Sequence, residues 1–297
     1  IFEQMPVITS WASIAGKKES EGPLGSHFDI TSQDAYFGQK TWEQAERHMQ
    51  EMALKTLIKK SNLNSSDLGI VFSGDLLNQC IGSSFTLRNA NIPHLGLYGA
   101  CSTMAESLLM ASMAVGGRFT DNAVAMTSSH FASSERQYRF PLGYGGQRTP
   151  TAQWTVTGAG AGIISNNGDG PSITMATFGK VVDFGINDAN NMGAAMAPSA
   201  CDTLCRFLED TKTVPADYDM IYTGDLGYEG HNIAKEMFML NGIEIESNFT
   251  DCGILIYDKN NQDTHSGGSG CGWIASVFAG QIFKELEKKK FKNKNKR

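Results

Sequence analysis

Asp67-Leu68-Gly69-Ile70-Val71-Phe72-Ser73-Gly74-Asp75-Leu76 and Asp217-Tyr218-Asp219-Met220-Ile221-Tyr222-Thr223-Gly224-Asp225-Leu226 align without a gap, 150 positions apart. Each is an apolar run that ends in Gly-Asp-Leu, the pattern of a buried strand delivered into a turn. A unit repeated at this range points to a duplicated α/β module. Strands alternate with helices around both copies, so each half is expected to hold a largely parallel sheet covered on both faces. In such sheets ligands collect at the carboxyl ends of strands. Asp75, Cys101, His130 and Asp225 all fall at expected strand ends or at the helix starts that follow.

Working outward, Met5 to Ile14 alternates as a first strand. Thr41 and Gln44 form a capping box, and Trp42, Ala45, Met49, Met52, Ala53 and Leu57 then recur at helical spacing up to Asn62. Further strands are expected at Leu68–Ser73, His94–Tyr98, Val124–Thr127, Val156–Ser165, Ser172–Thr177, Tyr218–Thr223 and Ile254–Tyr257. Helices are expected around Cys80–Asn89, from Pro198 (in a first turn) to Leu208, from His231, and from Cys271 toward Leu286. Gly158-Ala159-Gly160-Ala161-Gly162 lies inside an apolar run rather than between a strand and a helix. It reads as close packing on a strand, not as a dinucleotide fingerprint.

Composition narrows the function classes. The net charge is −6, but the last ten residues, Lys288–Arg297, hold seven of the 25 basic side chains and no acid. The rest of the chain therefore sets 18 basic against 31 acidic groups, a net −13, which argues against a nucleic-acid surface. The tail is expected to be solvated and disordered, or to touch an anionic membrane. Six cysteines without a C-x-x-C pair suggest a reducing compartment and no zinc site. No signal peptide is legible at the start of the sequence. The long charge-free runs Thr149–Gly168 and Thr264–Phe283 are too rich in Gly, Ser, Thr and Asn to span a bilayer.

The stretch Leu97-Tyr98-Gly99-Ala100-Cys101-Ser102-Thr103 leads into a segment, Ser102 to Val115, whose single charge is Glu106. A helix without a polar face is expected to be buried on all sides. Cys101 at its amino end would meet unpaired N–H groups and a helix dipole that favour a thiolate or a bound carboxylate. The competing reading is a small packed cysteine. A nucleophilic cysteine needs a base, and His130, His231 and His265 are the candidates, each with a packing or capping role as its alternative. Arg136 and Arg139, three apart, would share a helix face suited to a small dicarboxylate or phosphate, or serve in structural salt bridges. Asp225 stands as a strand-end ligand residue or as a helix cap.

The segments GPLGSHFD, GDLLNQ, GLYGACSTMAES, TSSH, ERQYRFP, TAQWTVTGAGA, MGAAMAP, YDMIYTGDL, FTDCG and GGSGCG together resemble the stage V sporulation protein AD family of spore-forming bacteria, from about Pro6 to about Leu286. The resemblance implies a thiolase-like α/β fold of two pseudo-repeated halves in α-β-α-β-α layers, here residues 1–168 and 169–287, with 288–297 as the basic tail. It implies binding of dipicolinic acid or its calcium chelate in a thiolase-like cleft, for uptake into the developing spore, without a cofactor or bound metal. It also implies a peripheral position at the inner spore membrane on the forespore side, within an assembly of other sporulation membrane proteins, and a homodimer.

Cys101 stands where thiolases and ketoacyl synthases keep their nucleophile, and Asp225 where condensing enzymes place an asparagine or histidine. His231 in Glu229-Gly230-His231 is similar to the thiolase Gly-His, with neighbours that do not match. His265 occupies the place of the thiolase cysteine that precedes a glycine loop. The full triad is not evident, so a ligand pocket built on Cys101, His130, Arg136, Arg139 and Asp225 is favoured. An acyltransferase using Cys101, with His231 and His265, is the alternative. In the family an apolar strand follows the last helix, whereas Lys284–Arg297 is basic. The second sheet is thus expected to lack an edge strand or to borrow one from a partner.

Overall fold

The computed structural model describes residues 1–138, 148–245 and 247–287. They fall into two compact units. The first takes the described residues of Ile1–Gly146, Thr155–Ala176 and Gly270–Glu287; the second takes those of Gln147–Trp154 and Thr177–Ser269. The units differ from the sequential halves expected at residues 168 and 169, because the last helical segment packs with the first unit. The basic tail lies outside the described residues.

The first unit is built on a six-stranded sheet. Its strands are β1 (Val7–Ala15), β2 (Ile30–Thr31), β3 (Ile70–Gly74), β4 (His94–Gly96), β5 (Asn122–Ser129) and β6 (Gly158–Ser165). Their order is β2-β1-β6-β5-β3-β4. The sheet is mixed, not largely parallel as expected: β6 runs antiparallel to both β1 and β5, while β1–β2, β3–β5 and β3–β4 are parallel. Direction depends on how a connection crosses the sheet, which an apolar run does not encode.

Helix α1 (Trp42–Ser61) covers one face. Thr41 Oγ1 accepts from Gln44 N at 3.2 Å, and Asn62 closes the helix in the left-handed region at φ 59°. Ala45, Met49, Ala53 and Leu57 meet Ile14, Val71, Val124, Met126, Ala159, Ala161 and Ile163 in a closed apolar layer. Helices α2 (Ile81–Leu87), α3 (Thr103–Gly116) and α4 (Phe131–Tyr138) complete the chain up to residue 138. The last helix, α7 (Cys271–Val277), continues through a π turn, Phe278–Ile282, into Phe283–Glu287.

Alternation along β6 explains how α7 is seated. Ala159, Ala161 and Ile163 point toward α1, so Gly158, Gly160 and Gly162 point to the other face. A Cβ on Gly160 would stand 2.4 Å from the Ala275 carbonyl carbon, and one on Gly272 would stand 2.2 Å from Ser129 N. Backbone lies on backbone here. Thr127 Oγ1 donates to Cys271 O at 2.9 Å, and Ser276 Oγ bonds to Gly272 O, Ile14 O and Ala159 O. The packing reading of the glycine cluster is the one the structure contains.

A polar network is buried where α1 crosses the ends of β3 and β5. Glu46 accepts from Ser128 Oγ at 3.1 Å and Ser133 Oγ at 2.7 Å. Gln50 Nε2 donates to Gly74 O, Ser83 Oγ and Ser128 Oγ. Asp75 accepts from Ser83 N, Ser83 Oγ and Leu77 N at 2.7, 2.6 and 3.0 Å. Burial, together with the nearby Asp75 charge, raises Glu46 to about 8. Burial also pushes Asp75 above the usual carboxylate range, against the pull of its donors.

The second unit holds α5 (Met192–Thr211), β7 (Ile221–Thr223), α6 (Gly227–Leu240) and β8 (Phe249–Asp251). β7 and β8 pair in parallel. Ala197, Cys201, Leu226, Ala234, Phe238 and Phe249 form its core. Pro198 sits at the seventh residue of α5, not in the first turn. A proline there removes one helical hydrogen bond and is tolerated at a cost. Ile254–Tyr257 is not a strand, because Asp251 accepts from Gly253 N at 2.8 Å and starts a helical turn, Cys252–Leu255. The expected strand Ser172–Thr177 makes one bridge, Ser172 to Val7, and its first residues otherwise follow the amino-terminal chain through Ile173 N–Pro6 O and Phe2 N–Thr174 O bonds. No helix among the described residues is long and apolar enough to cross a membrane.

Two measurements check this packing. Gly160→Ala is expected to cost about 1–3 kcal/mol in denaturant unfolding. Gly162→Ala, whose Cβ would find its nearest atom at 3.7 Å, is expected to be near neutral. For the buried acid, the folded-state value near 8 lies above the ordinary value near 4.5, so the folded chain holds the proton more tightly. Its stabilising effect is complete below pH 4.5 and is lost as pH rises through 8. Denaturation midpoints of wild type are expected to fall across that window, and Glu46→Gln to flatten the fall.

Candidate functional site

Cys101 lies where the sequence places it. Leu97 N donates to Ser73 O at 2.9 Å, continuing the β4 pairing, and the chain then turns through Ala100 in the left-handed region at φ 49°. A short 3-10 turn, Ala100–Ser102, leads into α3. Thr103 ties the turn from both sides, its Oγ1 accepting from Gly99 N at 3.1 Å and donating to Ala100 O at 2.7 Å. Gly74 must be glycine here, because a Cβ would stand 2.2 Å from Leu97 O and 2.5 Å from Thr103 Cγ2. Cys101 is in no disulfide and is half-buried at the amino end of α3. No side chain caps that helix through Ser102. The helix is not buried all round as expected: Ala105 and Met113 are exposed, while Met104, Ala111 and Val115 face inward.

The other candidates in the first unit are already engaged. His130 is 2 % exposed, its Nε2–H donating to Ala35 O at 2.7 Å and its Nδ1 accepting from Ala132 N at 3.2 Å. Both nitrogens are used on backbone and burial lowers its pKa, so His130 is held as a neutral strap between Ala35 and Ala132. Arg136 pairs with Glu43 of α1 and lies over the Trp42 ring at 5.4 Å. It follows the salt-bridge reading, with Glu43 as its partner. Arg139 lies outside the described residues, so the expected guanidinium pair rests on Arg136 alone.

Asp225, His231 and His265 belong to the second unit. Asp225 is buried after β7, and its backbone oxygen accepts from Gln153 Nε2 at 2.6 Å. His231 stacks on Phe249 with ring centroids 4.6 Å apart, and its Nε2 lies 3.4 Å from Phe249 O. Burial lowers its pKa, which keeps the ring neutral at pH 7. His265 takes a left-handed backbone at φ 50° and sets Nε2 3.1 Å from Asp263 Oδ1.

The amino end of α6 is closed by the chain itself. Asp251 accepts from Leu226 N at 3.0 Å and Gly227 N at 2.9 Å, and also from Thr223 Oγ1 at 2.8 Å. Ser266 takes the next two donors, Tyr228 N on its carbonyl at 2.8 Å and Glu229 N on its hydroxyl at 3.1 Å. These are the orphan N–H groups that make a helix start receptive to anions. Burial pushes the Asp251 carboxyl above the ordinary range despite its four donors. Neither Asp251 nor the Glu46–Gln50 pair was singled out from the sequence. A legible signal existed for the latter: Glu46 and Gln50 sit four apart beside Ala45, Met49 and Ala53 on the apolar stripe of α1.

The duplicated segments keep one device and divide on another. Asp67 Oδ2 accepts from Asn64 N at 2.7 Å, and Asp217 Oδ2 accepts from Val214 N at 2.9 Å, each closing a 3-10 turn ahead of its strand. After the strand, Asp75 caps its own turn, whereas Asp251, from the neighbouring strand, caps the turn that follows Asp225.

The fold and sequence have known counterparts. Among solved structures, the 3-oxoacyl-[acyl-carrier-protein] synthase III of Aquifex aeolicus VF5 matches with a TM-score of 0.61 at 13% identity, over 95% of this chain and 92% of that one. The cerulenin-bound OleA of Xanthomonas campestris matches with a TM-score of 0.60 at 12% identity, over 95% of this chain and 89% of that one. These likenesses show a thiolase-like α/β fold with a mixed sheet flanked by helices. The Stage V sporulation protein AD of Bacillus subtilis (strain 168) is 44% identical over 290 residues, 98% of this chain and 86% of that protein. The model of the Stage V sporulation protein AD (SpoVAD) family matches residues 1–294. The chain belongs to the stage V sporulation protein AD family.

Proposed function

We propose that this protein binds dipicolinic acid or its calcium chelate beside Cys101, for uptake into the developing spore. The supporting observation is the contrast between two helix starts. The amino end of α6 is closed by Asp251 and Ser266, whereas α3 grows out of a 3-10 turn in which Gly99 O and Ala100 O take Ser102 N and Thr103 N, with the half-buried Cys101 between them. A ligand carboxylate is a fitting partner for such an end. The backbone bonds of His130 and the Arg136–Glu43 pair support a reading in which recognition centres on the Cys101 turn.

Acyl transfer through Cys101 is the second reading. It is favoured by the synthase fold of the solved structures and by the position of Cys101 at the start of α3.

The protein is further proposed to act as a homodimer, held at the inner spore membrane with other sporulation membrane proteins of its assembly. Among the described residues β4 is the last strand at its edge of the sheet, and Leu95 and Tyr98 beside it are 51% and 49% exposed. Ile81 and Phe85 of α2 add exposed apolar surface at 45% and 47%. An open edge of this kind invites a second strand.

Calorimetry of the folded protein with dipicolinate, with and without Ca²⁺, is expected to show saturable heat. Cys101→Trp is expected to weaken binding roughly tenfold or more, about 1.4 kcal/mol. No heat from folded protein would remove the binding reading, and a stable acyl adduct on Cys101 after incubation with acyl-CoA would favour the second one. Light scattering is expected to give a dimer mass for wild type and a monomer for Leu95→Lys; a monomeric wild type overturns the pairing.

A further inference from the structure

Cys201 and Cys205 lie one turn apart on α5, and their i, i+4 spacing sets them on one face of the helix. Their sulfurs stand 3.8 Å apart. Cys201 is 2 % exposed and belongs to the core of the second unit. Cys205 is half-buried and lines a cavity of about 480 Å³, walled by Leu208, Val214, Pro215 and Ile243. Asn241 Nδ2 approaches Cys201 Sγ at 4.0 Å while donating to Met237 O at 2.8 Å. None of these groups takes part in the Cys101 reading.

We propose that Cys201 and Cys205 form a two-sulfur site for one soft, thiolate-seeking metal ion, Cu(I) in particular, entered from the cavity at Cys205. With metal–sulfur bonds of ~2.3 Å, sulfurs at this separation subtend roughly 110° at the ion, so the helix needs no distortion to hold it. That bent angle leaves room at the ion for a further donor, and Cys205 lines the cavity from which one could enter. Thiolate sulfur selects soft ions. Among the described residues no group of three or more His, Cys, Asp or Glu side chains gathers round one point. A complete zinc cage of four protein ligands is therefore not formed, while Cu(I) accepts two protein sulfurs and a donor from solvent. On binding, each S–H releases its proton to solvent, two sulfur–metal bonds form, and no electron moves.

The test is an anaerobic titration of the full chain against Cu(I) held by a chromophoric Cu(I) chelator, with Zn²⁺ titrated in parallel. Wild type is expected to withdraw one Cu(I) at this pair and to develop thiolate-to-copper absorption in the near ultraviolet. Cys205→Ser, a change at the half-buried position, and Cys201→Ala should each lose that Cu(I) with unchanged circular dichroism. Cys101→Ala should keep it. Failure to withdraw Cu(I), retention of the same stoichiometry in Cys205→Ser, or loss in Cys101→Ala with Cys205→Ser unaffected overturns the site. Tighter binding of Zn²⁺ than of Cu(I) overturns the assignment of the ion.

Discussion

The seating of α7 on the glycine face of β6 is the contact on which the rest of the first unit depends. Any side chain at Gly160 or Gly272 would occupy space already filled by backbone. With the glycines in place, α7 comes close enough for its Ser276 to bond to Ala159 O of β6 and for Thr127 of β5 to bond to Cys271 O. Close contact of this kind gathers many small dispersion terms and excludes water from the backbone groups it covers. The carboxyl end of β5 is thereby held between α7 on one face and α1 on the other. Ser128 reaches Glu46 and Gln50 on the α1 side, and Ser129 reaches Val156 O. His130, one residue on, is fixed to the loop at Ala35.

That rigidity bears on function through what stays accessible. A strand end is a natural place for a ligand, yet most polar side chains at the β3 and β5 ends are tied to each other. Asp75 is turned inward onto Ser83 and Leu77, and Glu46 onto Ser128 and Ser133. In the second unit Asp251 and Ser266 consume the donors at the start of α6. The Cys101 turn is built differently. Its backbone is fixed by Thr103 and Gly99, while Cys101 itself is only half-buried. The turn at Cys101 therefore differs from the closed strand ends around it in leaving a side chain partly exposed.

Much of this was legible in the sequence because it depends on local periodicity. The stripe of α1, the capping pair Thr41 and Gln44, the run before Cys101 and the glycine cluster in β6 each carry their explanation within a few residues. The repeated Gly-Asp-Leu pointed to duplication, and each copy is preceded by the same 3-10 turn, closed by Asp67 or Asp217. What escaped depends on contacts distant in sequence. The direction of β6 is set by its neighbours β1 and β5. Ile254–Tyr257 has the composition of a strand, but Asp251 diverts it into a helical turn. The apolar segment after Cys101 located that residue at a helix start, but no local pattern could reveal that His130 spends both nitrogens on backbone. Residue type names a chemistry; only neighbours decide whether it is available.

The most direct measurement is a crystal structure of the protein grown with dipicolinate. The account predicts density for the pyridine ring and its carboxylates beside the Cys101 thiol, at the amino end of α3. A well-ordered crystal with saturating ligand but no density at Cys101, or with the ligand bound at a remote surface, would contradict it.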